Sequence, residues 1–308
     1  MSFYKVDLDV KETSLLYLNK GGNLHMAHQL QERYSNMVLK KLRQTLVTKD
    51  EVIFNNSYEG DPKAGLVKIP VRGEVNVKKY DKVKGVPLDE GSTTYMDLLI
   101  DKDEVVNELI DGYDAQAVPD GIVADRIDSA GYGLGLSVDT QSINALESQG
   151  TVYTTVTAST KSNIYSTILD IGAKMTRAGV PVQGRWLIVS PETKALILKS
   201  DEFIKAGDLS QQIVQTGAFG AIAGFNCYES GNTMFGNTTV VTGKTVTTEF
   251  IAGHPLFASR VMEFKVPVHV QDLAQSGTYI GACAVQGRQV WGVKVTRPEA
   301  IYVKRIEA

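Results

Sequence analysis

Between residues 23 and 46 the apolar positions Ala27, Leu30, Tyr34, Met37 or Val38, Leu42 and Leu46 recur at steps of three and four, the period of one helical face. Asn23 is placed to cap such a helix, so the spacing predicts about 24 helical residues whose stripe must dock on something. Residues 1 to about 22 are polar and end in Gly21-Gly22, which reads as an extended arm on a flexible joint. From about 61 to 91 the pattern shortens to strand-like runs, Leu66-Val67-Lys68-Ile69 and Glu74-Val75-Asn76-Val77, punctuated by Gly65, Gly73, Gly85, Gly91, Pro62, Pro70 and Pro87. Alternation with so few large apolar residues predicts a long two-stranded loop that builds no core of its own and projects from the body.

A second helical stripe follows. Pro119 and Asp120 suit a first turn, and Val123, Ile127, Ala130, Leu134 and Val138 are spaced at steps of four, three, four and four, so a helix reaching about Gln149 is expected. Gly131, Gly133 and Gly135 each cost it roughly 1 kcal/mol relative to alanine, tolerable where a close crossing needs small residues. Beyond the Thr-rich stretch 151–160, Thr160 can cap a helix carrying Ile164, Ile168, Ile171 and Met175, with Gly179 and Pro181 as its stop. Arg185-Trp186-Leu187-Ile188-Val189 reads as a buried strand, and Ser190-Pro191-Glu192 as N-cap, N1 proline and acidic first turn. The tail alternates in strand fashion at 263–266, 268–270, 279–285, 289–295 and 300–304. Helices and antiparallel strands without a βαβ rhythm give the class α+β.

Composition changes this picture little: 43% hydrophobic and 22% charged residues in 308 positions describe a globular chain long enough for a large core. A net charge of −3 gives no footprint for tight nucleic-acid binding. Cys227 and Cys283 read as reduced packing residues. Neither a secretory signal nor a run approaching roughly 18 apolar residues is visible, which points to synthesis in a cytoplasm and no membrane partner.

Charge is local rather than global. Residues 63–84 hold seven basic side chains (Lys63, Lys68, Arg72, Lys78, Lys79, Lys82, Lys84) against Glu74 and Asp81, a balance of +5. Residues 97–114 hold seven acidic ones (Asp97, Asp101, Asp103, Glu104, Glu108, Asp111, Asp114) against Lys102, a balance of −6. Two solvated faces would explain this; a basic projecting loop and an acidic body also make a plug and socket between copies of one chain.

Catalytic motifs fail on spacing. Gly236 stands six residues, not four, from Gly243-Lys244-Thr245. Gly131-Tyr132-Gly133-Leu134-Gly135 sits mid-helix instead of after a strand. His25 and His28 find no ligand motif around His254 or His269, and no Gly-x-Ser-x-Gly elbow occurs. Asn55-Asn56-Ser57 and Asn237-Thr238-Thr239 match a glycosylation pattern that has no meaning without secretion. Neither a catalytic residue, a cofactor nor a metal is expected.

The order of parts resembles the major capsid proteins of tailed bacteriophages, with the fold named after phage Hong Kong 97. The likeness rests on Leu98-Leu99-Ile100-Asp101-Lys102-Asp103-Glu104-Val105 through Ile110-Asp111-Gly112-Tyr113-Asp114-Ala115-Gln116. It rests also on Gly184-Arg185-Trp186-Leu187-Ile188-Val189-Ser190-Pro191-Glu192, Phe203, Gly217, Gly220 and Ala221-Ile222-Ala223-Gly224-Phe225-Asn226-Cys227-Tyr228-Glu229-Ser230. The resemblance implies an N-terminal arm and helix (1–50), an extended loop region (51–96), a peripheral domain with a spine helix (97–159), an axial domain (160–260) and closing strands that return to the peripheral domain (261–308). Gly217, Gly220 and Gly224 would form the axial-domain turn.

It further implies a non-enzymatic subunit that assembles with itself as pentamers and hexamers into an icosahedral virion shell around double-stranded DNA, which it touches only non-specifically. A portal protein is an implied partner. With Met1 present and the first helix expected near Asn23, no fused scaffold is expected, so a separate scaffolding protein is; the segment 1–49, with eight basic residues against four acidic ones, is its plausible contact. A bacterial encapsulin shell shares the fold and is the runner-up, although its loop is shorter and its N-terminus holds cargo. A soluble α+β enzyme with an unrecognised site is the third reading.

Overall fold

The computed structural model describes residues 17–18, 24–25, 41, 43–48, 52–55, 65–117, 121–154, 158–200, 220–232, 238–241, 244–273 and 277–307. The chain divides into two units, Met1–Lys40 and Lys41–Ala308. In the first, β1 (Tyr17–Leu18) pairs antiparallel with β2 (Leu24–His25), Leu18 opposite Leu24. Asn23 and most of the helix expected over 23–46 lie outside the described residues. At its far end residues 43–46 are not helical, and Gln44 N–H and Val47 N–H donate to Tyr132 Oη and Asp139 Oδ1.

Three sheets organise the second unit. A hairpin joins β3 (Leu66–Arg72) to β4 (Thr93–Leu99). An antiparallel sheet runs in the order β12 (Ala258–Asp272), β13 (Cys283–Val295), β5 (Lys102–Ile110). The largest has the order β6 (Thr151–Thr154), β14 (Tyr302–Glu307), β11 (Lys244–Gly253), β7 (Trp186–Val189), β9 (Phe225–Glu229), β8 (Ala221–Ile222), with β10 (Thr238–Val241) also on β11. Among the described residues only the β14–β6 and β7–β9 pairs in it are parallel, and four α-helices accompany the sheets: α1 (Gly112–Ala117), α2 (Ile122–Gln149), α3 (Ile164–Arg177) and α4 (Pro191–Leu198). The mixture is α+β, as the sequence pattern predicts.

Several local readings shift. Pro70 stands inside β3, and its partner strand is β4, not Glu74–Val77, which pairs with nothing regular. Pro119 lies outside the described residues, as does Asp120; α2 opens at Ile122 after Gly121, whose φ is +66°. Thr160 does not cap α3: its own N–H donates to Asn163 Oδ1 at 2.6 Å, and Asn163 precedes the first helical residue. The strand expected from Tyr279 begins at Cys283, after a turn through Gly281. The last of the expected strands is β14, which lies between β6 and β11.

The local signals around α3, β7 and α4 hold. Ile164, Ile168, Ile171 and Met175 are all buried. Gly179, at φ +79°, ends α3 while Val180 N–H bonds to Met175 O at 3.0 Å and Gly179 N–H to Thr176 O at 3.0 Å, the paired bonds of a Schellman stop. Every residue of β7 is buried. Arg185, buried without an acidic partner, donates to the carbonyls of Gly172, Val180 and Pro181 and to Thr176 Oγ1, which ties β7 to the end of α3 where helix carbonyls lack partners.

One core spans both large sheets. Ile143 and Leu146 from the end of α2 pack with Trp186, Ile188 and Ile251 of the seven-stranded sheet, with Trp291, Val293 and Val295 of β13, and with Ile301 and Val303. A second core puts α3 against Leu187, Val189, Phe225 and Phe250. Each fully buried large side chain contributes about 1.5–3 kcal/mol.

Ser190 Oγ accepts from Thr193 N–H at 3.0 Å and lies 2.9 Å from Thr193 Oγ1, so it caps α4 directly behind the buried strand. Ser190→Ala is expected to lower stability by about 1 kcal/mol, measured by denaturant unfolding of the unassembled protein, with Ser190→Asp restoring most of it.

Candidate assembly surfaces

The hairpin is fixed at its base. Ile69 and Leu98 form a small buried cluster with Val261 of β12, and a side chain at Gly292 of β13 would place Cβ 2.2 Å from Leu99 O. Only glycine lets β13 pass so close. Above this base the ladder stops at Gly73 N–H to Ser92 O, 3.2 Å. The chain then turns at Asp81, whose carboxylate accepts from Val83 N–H at 2.8 Å and Lys84 N–H at 3.2 Å. Those two bonds hold its pKa below the ordinary carboxylate value.

The basic side chains fall along this projection. Lys63 lies outside the described residues. Lys68 stands opposite Asp97 in the ladder and Arg72 opposite Thr93. Lys78 pairs with Asp89 across the loop; Lys79, Lys82 and Lys84 are exposed. Over 65–92 the six basic residues Lys68, Arg72, Lys78, Lys79, Lys82 and Lys84 face the four acidic residues Glu74, Asp81, Asp89 and Glu90, so 6 − 4 leaves +2. With Lys63 included the balance over 63–92 is 7 − 4, or +3, so Asp89 and Glu90 on the returning side remove two of the +5.

A feature that charge counting misses is apolar. Val75, Val77, Val83 and Leu88 are 89% to 99% exposed. The alternation of Val75, Val77 and Val83 with polar neighbours was the available signal, and it resembles a strand face with no partner among the described residues.

The acidic segment is partly consumed inside the subunit. β5 alternates: Asp103 lies on one face, where Arg288 of β13 holds it through two bonds at 2.8 and 2.5 Å and keeps its carboxyl below the ordinary value. Glu104 and Glu108 point the other way, towards α2. Arg126 binds Glu108 at 2.6 Å. Glu104 accepts from Ser137, Gln141, Gln289 Nε2 at 2.7 Å and Trp291 Nε1 at 3.3 Å, joining β5, β13 and the middle of α2 at one carboxylate. Asp101 is 3.6 Å from Lys102, and Asp111 accepts Tyr113 N–H at the start of α1. Asp114 is exposed.

Of the axial-turn glycines, Gly217 lies outside the described residues. Gly220 O accepts Cys227 N–H at 2.9 Å, and Ala223-Gly224, with φ of 50° and 84°, join β8 to β9 as a two-residue turn of the primed type. Cys227 beside it is buried, which pushes its thiol up to about 12 and leaves it protonated and unreactive at neutral pH. Among the described residues no three His, Cys, Asp or Glu side chains are grouped to hold a metal ion, and no helix is long and apolar enough to cross a membrane.

A long helix backing a three-stranded sheet, a separate mixed sheet and a hairpin projecting past its own core define the class of shell-forming capsid subunits with the Hong Kong 97-like fold. A structure from Mycobacterium phage Che8 has a TM-score of 0.73 at 24% identity, covering 91% of this chain and 98% of that one. The capsid of cyanophage P-SCSP1u scores 0.74 at 14% identity, with 89% and 92% covered. The mature capsid of bacteriophage PhiM1 scores 0.68 at 12%, with 94% of each chain covered. At these identities the likeness is one of fold. No curated protein matches the chain in sequence. The model of the phage capsid protein family matches residues 108–303, and the chain belongs to that family. It is a structural protein of the phage virion, and the encapsulin reading is not favoured.

The contrast between the two neighbouring carboxylates is measurable. Glu104→Ala should cost about 3 kcal/mol, because it strips an acceptor from several half-buried donors, whereas Asp103→Ala, on an exposed pair, should cost about 0.5 kcal/mol. Parallel urea titrations of the unassembled variants decide it; equal losses would mean that Glu104 is not the joint described.

Proposed function

We propose that this chain is the major capsid subunit that closes an icosahedral shell around double-stranded DNA, associating as pentamers and hexamers and acting through interfaces rather than catalysis. The observation that carries this reading is the hairpin. A side chain such as Leu88, 99% exposed, is costly to leave in water, and full burial of each of the four is worth about 1.5–3 kcal/mol. An exposed ion pair contributes about 0–1 kcal/mol. The loop therefore docks on a neighbouring copy chiefly through Val75, Val77, Val83 and Leu88. Lys68, Arg72, Lys79, Lys82 and Lys84 orient it towards the acidic residues left over on that neighbour, Asp97, Asp111 and Asp114. The seven-stranded sheet with α3 and α4 is the axial part facing local symmetry axes, and α2 with β5, β12 and β13 is the peripheral part. Many modest contacts then add into one shell.

Purified protein should give capsomers or shells under negative-stain electron microscopy. Replacing Val75, Val77, Val83 and Leu88 by serine should abolish shells while leaving the melting temperature of the subunit unchanged. Reversing Lys78, Lys79, Lys82 and Lys84 to glutamate should impair assembly less, with a deficit that shrinks in salt. A protein that stays monomeric or dimeric at high concentration, with or without its phage partners, refutes the reading.

Pentamers and hexamers of one chain are near-degenerate, so closure at one size needs a bias. We infer a separate scaffolding protein acting on the inner surface, with a portal protein at one vertex. Expression of this chain by itself should yield tubes, mixed sizes or free capsomers, and co-expression with the scaffold uniform shells. Uniform shells from the chain by itself would place size control within it.

A further inference from the structure

The described residues of 41–48 lie along α2 in the same direction as the helix. Lys41 Nζ meets Asp125 at 2.7 Å and Arg43 meets Asp128 at 2.5 Å. The Arg43 guanidinium stands 4.9 Å from the Tyr132 ring centroid. Gln44 N–H donates to Tyr132 Oη at 2.8 Å. Leu46 covers Gly135, where an added Cβ would come within 2.8 Å of its Cδ1. Val47 N–H, Thr48 N–H and Thr48 Oγ1 all donate to Asp139 Oδ1, at 3.0, 2.8 and 2.9 Å. The lengths agree: Asp125 to Asp139 spans about 21 Å of helix axis, and seven extended steps span about 23 Å.

The two ends of this segment differ in kind. At the start, both contacts are ion pairs between side chains that reach solvent, Asp128 being 66% exposed. At the far end Thr48 is 1% and Asp139 2% exposed. There the second carboxylate oxygen accepts Asn232 Nδ2 at 3.1 Å, from the loop after β9, and Arg260 of β12 reaches Thr48 Oγ1 at 3.5 Å. Exposed pairs are weak and screened by salt. Unmaking the bonds at Asp139 would leave a buried carboxylate and several donors without partners.

We propose that the described residues of 41–48 form a two-part strap on α2. Val47 and Thr48 are a permanent clamp, and Lys41 and Arg43 to Thr45 peel from the helix when their charges are screened, turning on a fixed pivot at Leu46-Val47. The pivot lies where one carboxylate already joins α2, the strap and the loop at Asn232, so peeling on one side of it need not disturb the body on the other. A subunit that must meet neighbours at more than one angle gains a releasable contact on α2 this way without loosening its core.

Hydrogen exchange resolved to single amides by mass spectrometry tests this on the whole wild-type protein. Between 50 mM and 1 M NaCl, where the screening length falls to about 3 Å, the Gln44 amide should exchange roughly three- to tenfold faster, and the Val47 and Thr48 amides should not change. The double variant Lys41→Glu, Arg43→Glu should show the faster Gln44 exchange already at low salt and respond no further. If the three amides accelerate together, the strap moves as one piece and the pivot is wrong. If none responds, the first part is not releasable; either result in the wild-type protein overturns the proposal, whatever becomes of the variant.

Discussion

The burial of Ile143 and Leu146 between two sheets is the constraint on which the rest of the second unit depends. These residues occupy the last two turns of a helix of 28 residues, and they touch strands contributed by both the antiparallel and the mixed sheet. Because one helix end serves both sheets, the orientation of α2 is set there. Its other end, about 40 Å away at 1.5 Å per residue, has to be held by something else. Gly150 ends the helix with its N–H on Leu146 O at 2.9 Å. A side chain at that glycine would strike Leu146 O, Val303 and Ile301, so the turn into β6 is as tightly specified as the core it leaves.

The first half of α2 is held by apolar and polar contacts together. Ala130 packs with Ile110 and Val285, with Ile122, Val123 and Ile127 beside it, and between Arg126 and Gln141 the polar fastening is Arg126 to Glu108 and Ser137 and Gln141 to Glu104. On the other side the strap supplies Lys41, Arg43 and the backbone of Gln44. A helix held this way is directionally specified, because each bond fixes angle as well as distance. The last turns are locked in a close-packed core instead, where volume tolerates little change. The two halves of α2 thus differ in what fixes them.

How much of this was legible in the sequence depended on range. Ser190-Pro191-Glu192, Gly179 and the stripe of α3 announce themselves, because a cap, a stop and a 3.6-residue period are set by neighbours a few positions away. The stripe from Ala27 to Leu46 carried the same period, and most of it lies outside the described residues. At its ends Leu24 and His25 are claimed by β2, and the backbone of Gln44, Val47 and Thr48 is claimed by Tyr132 and Asp139, some 90 residues further on. Glu74–Val77 alternates like a strand, yet alternation specifies a face and not a partner, and within the subunit the partner of β3 is β4. The acidic run was visible as charge. That Glu104 would be spent on Trp291 and Gln289 was not, since the register of β5 on β13 is a contact across about 185 positions. β14 between β6 and β11 is the same kind of fact.

The distribution of satisfied and unsatisfied groups is itself informative about what the subunit is for. Within the body these buried charges are matched: Lys304 meets Glu249 at 3.1 Å, Glu249 also accepts from Ser159, and Arg185 is met by three carbonyls and a hydroxyl. On the hairpin the opposite holds, with large apolar side chains set out in water above a base anchored by Ile69, Leu98 and Val261. A chain that folds only for itself gains nothing from that arrangement, since each exposed valine or leucine forgoes about 1.5–3 kcal/mol of burial. It becomes favourable when a second surface covers the loop, and a rigid base is what that second surface requires: the loop loses little further freedom on docking, so less of the burial energy is consumed by ordering it. Anchoring the hairpin through Gly292 and Val261 to β13 and β12 also means that force applied at the loop is delivered to the strands on which α2 packs.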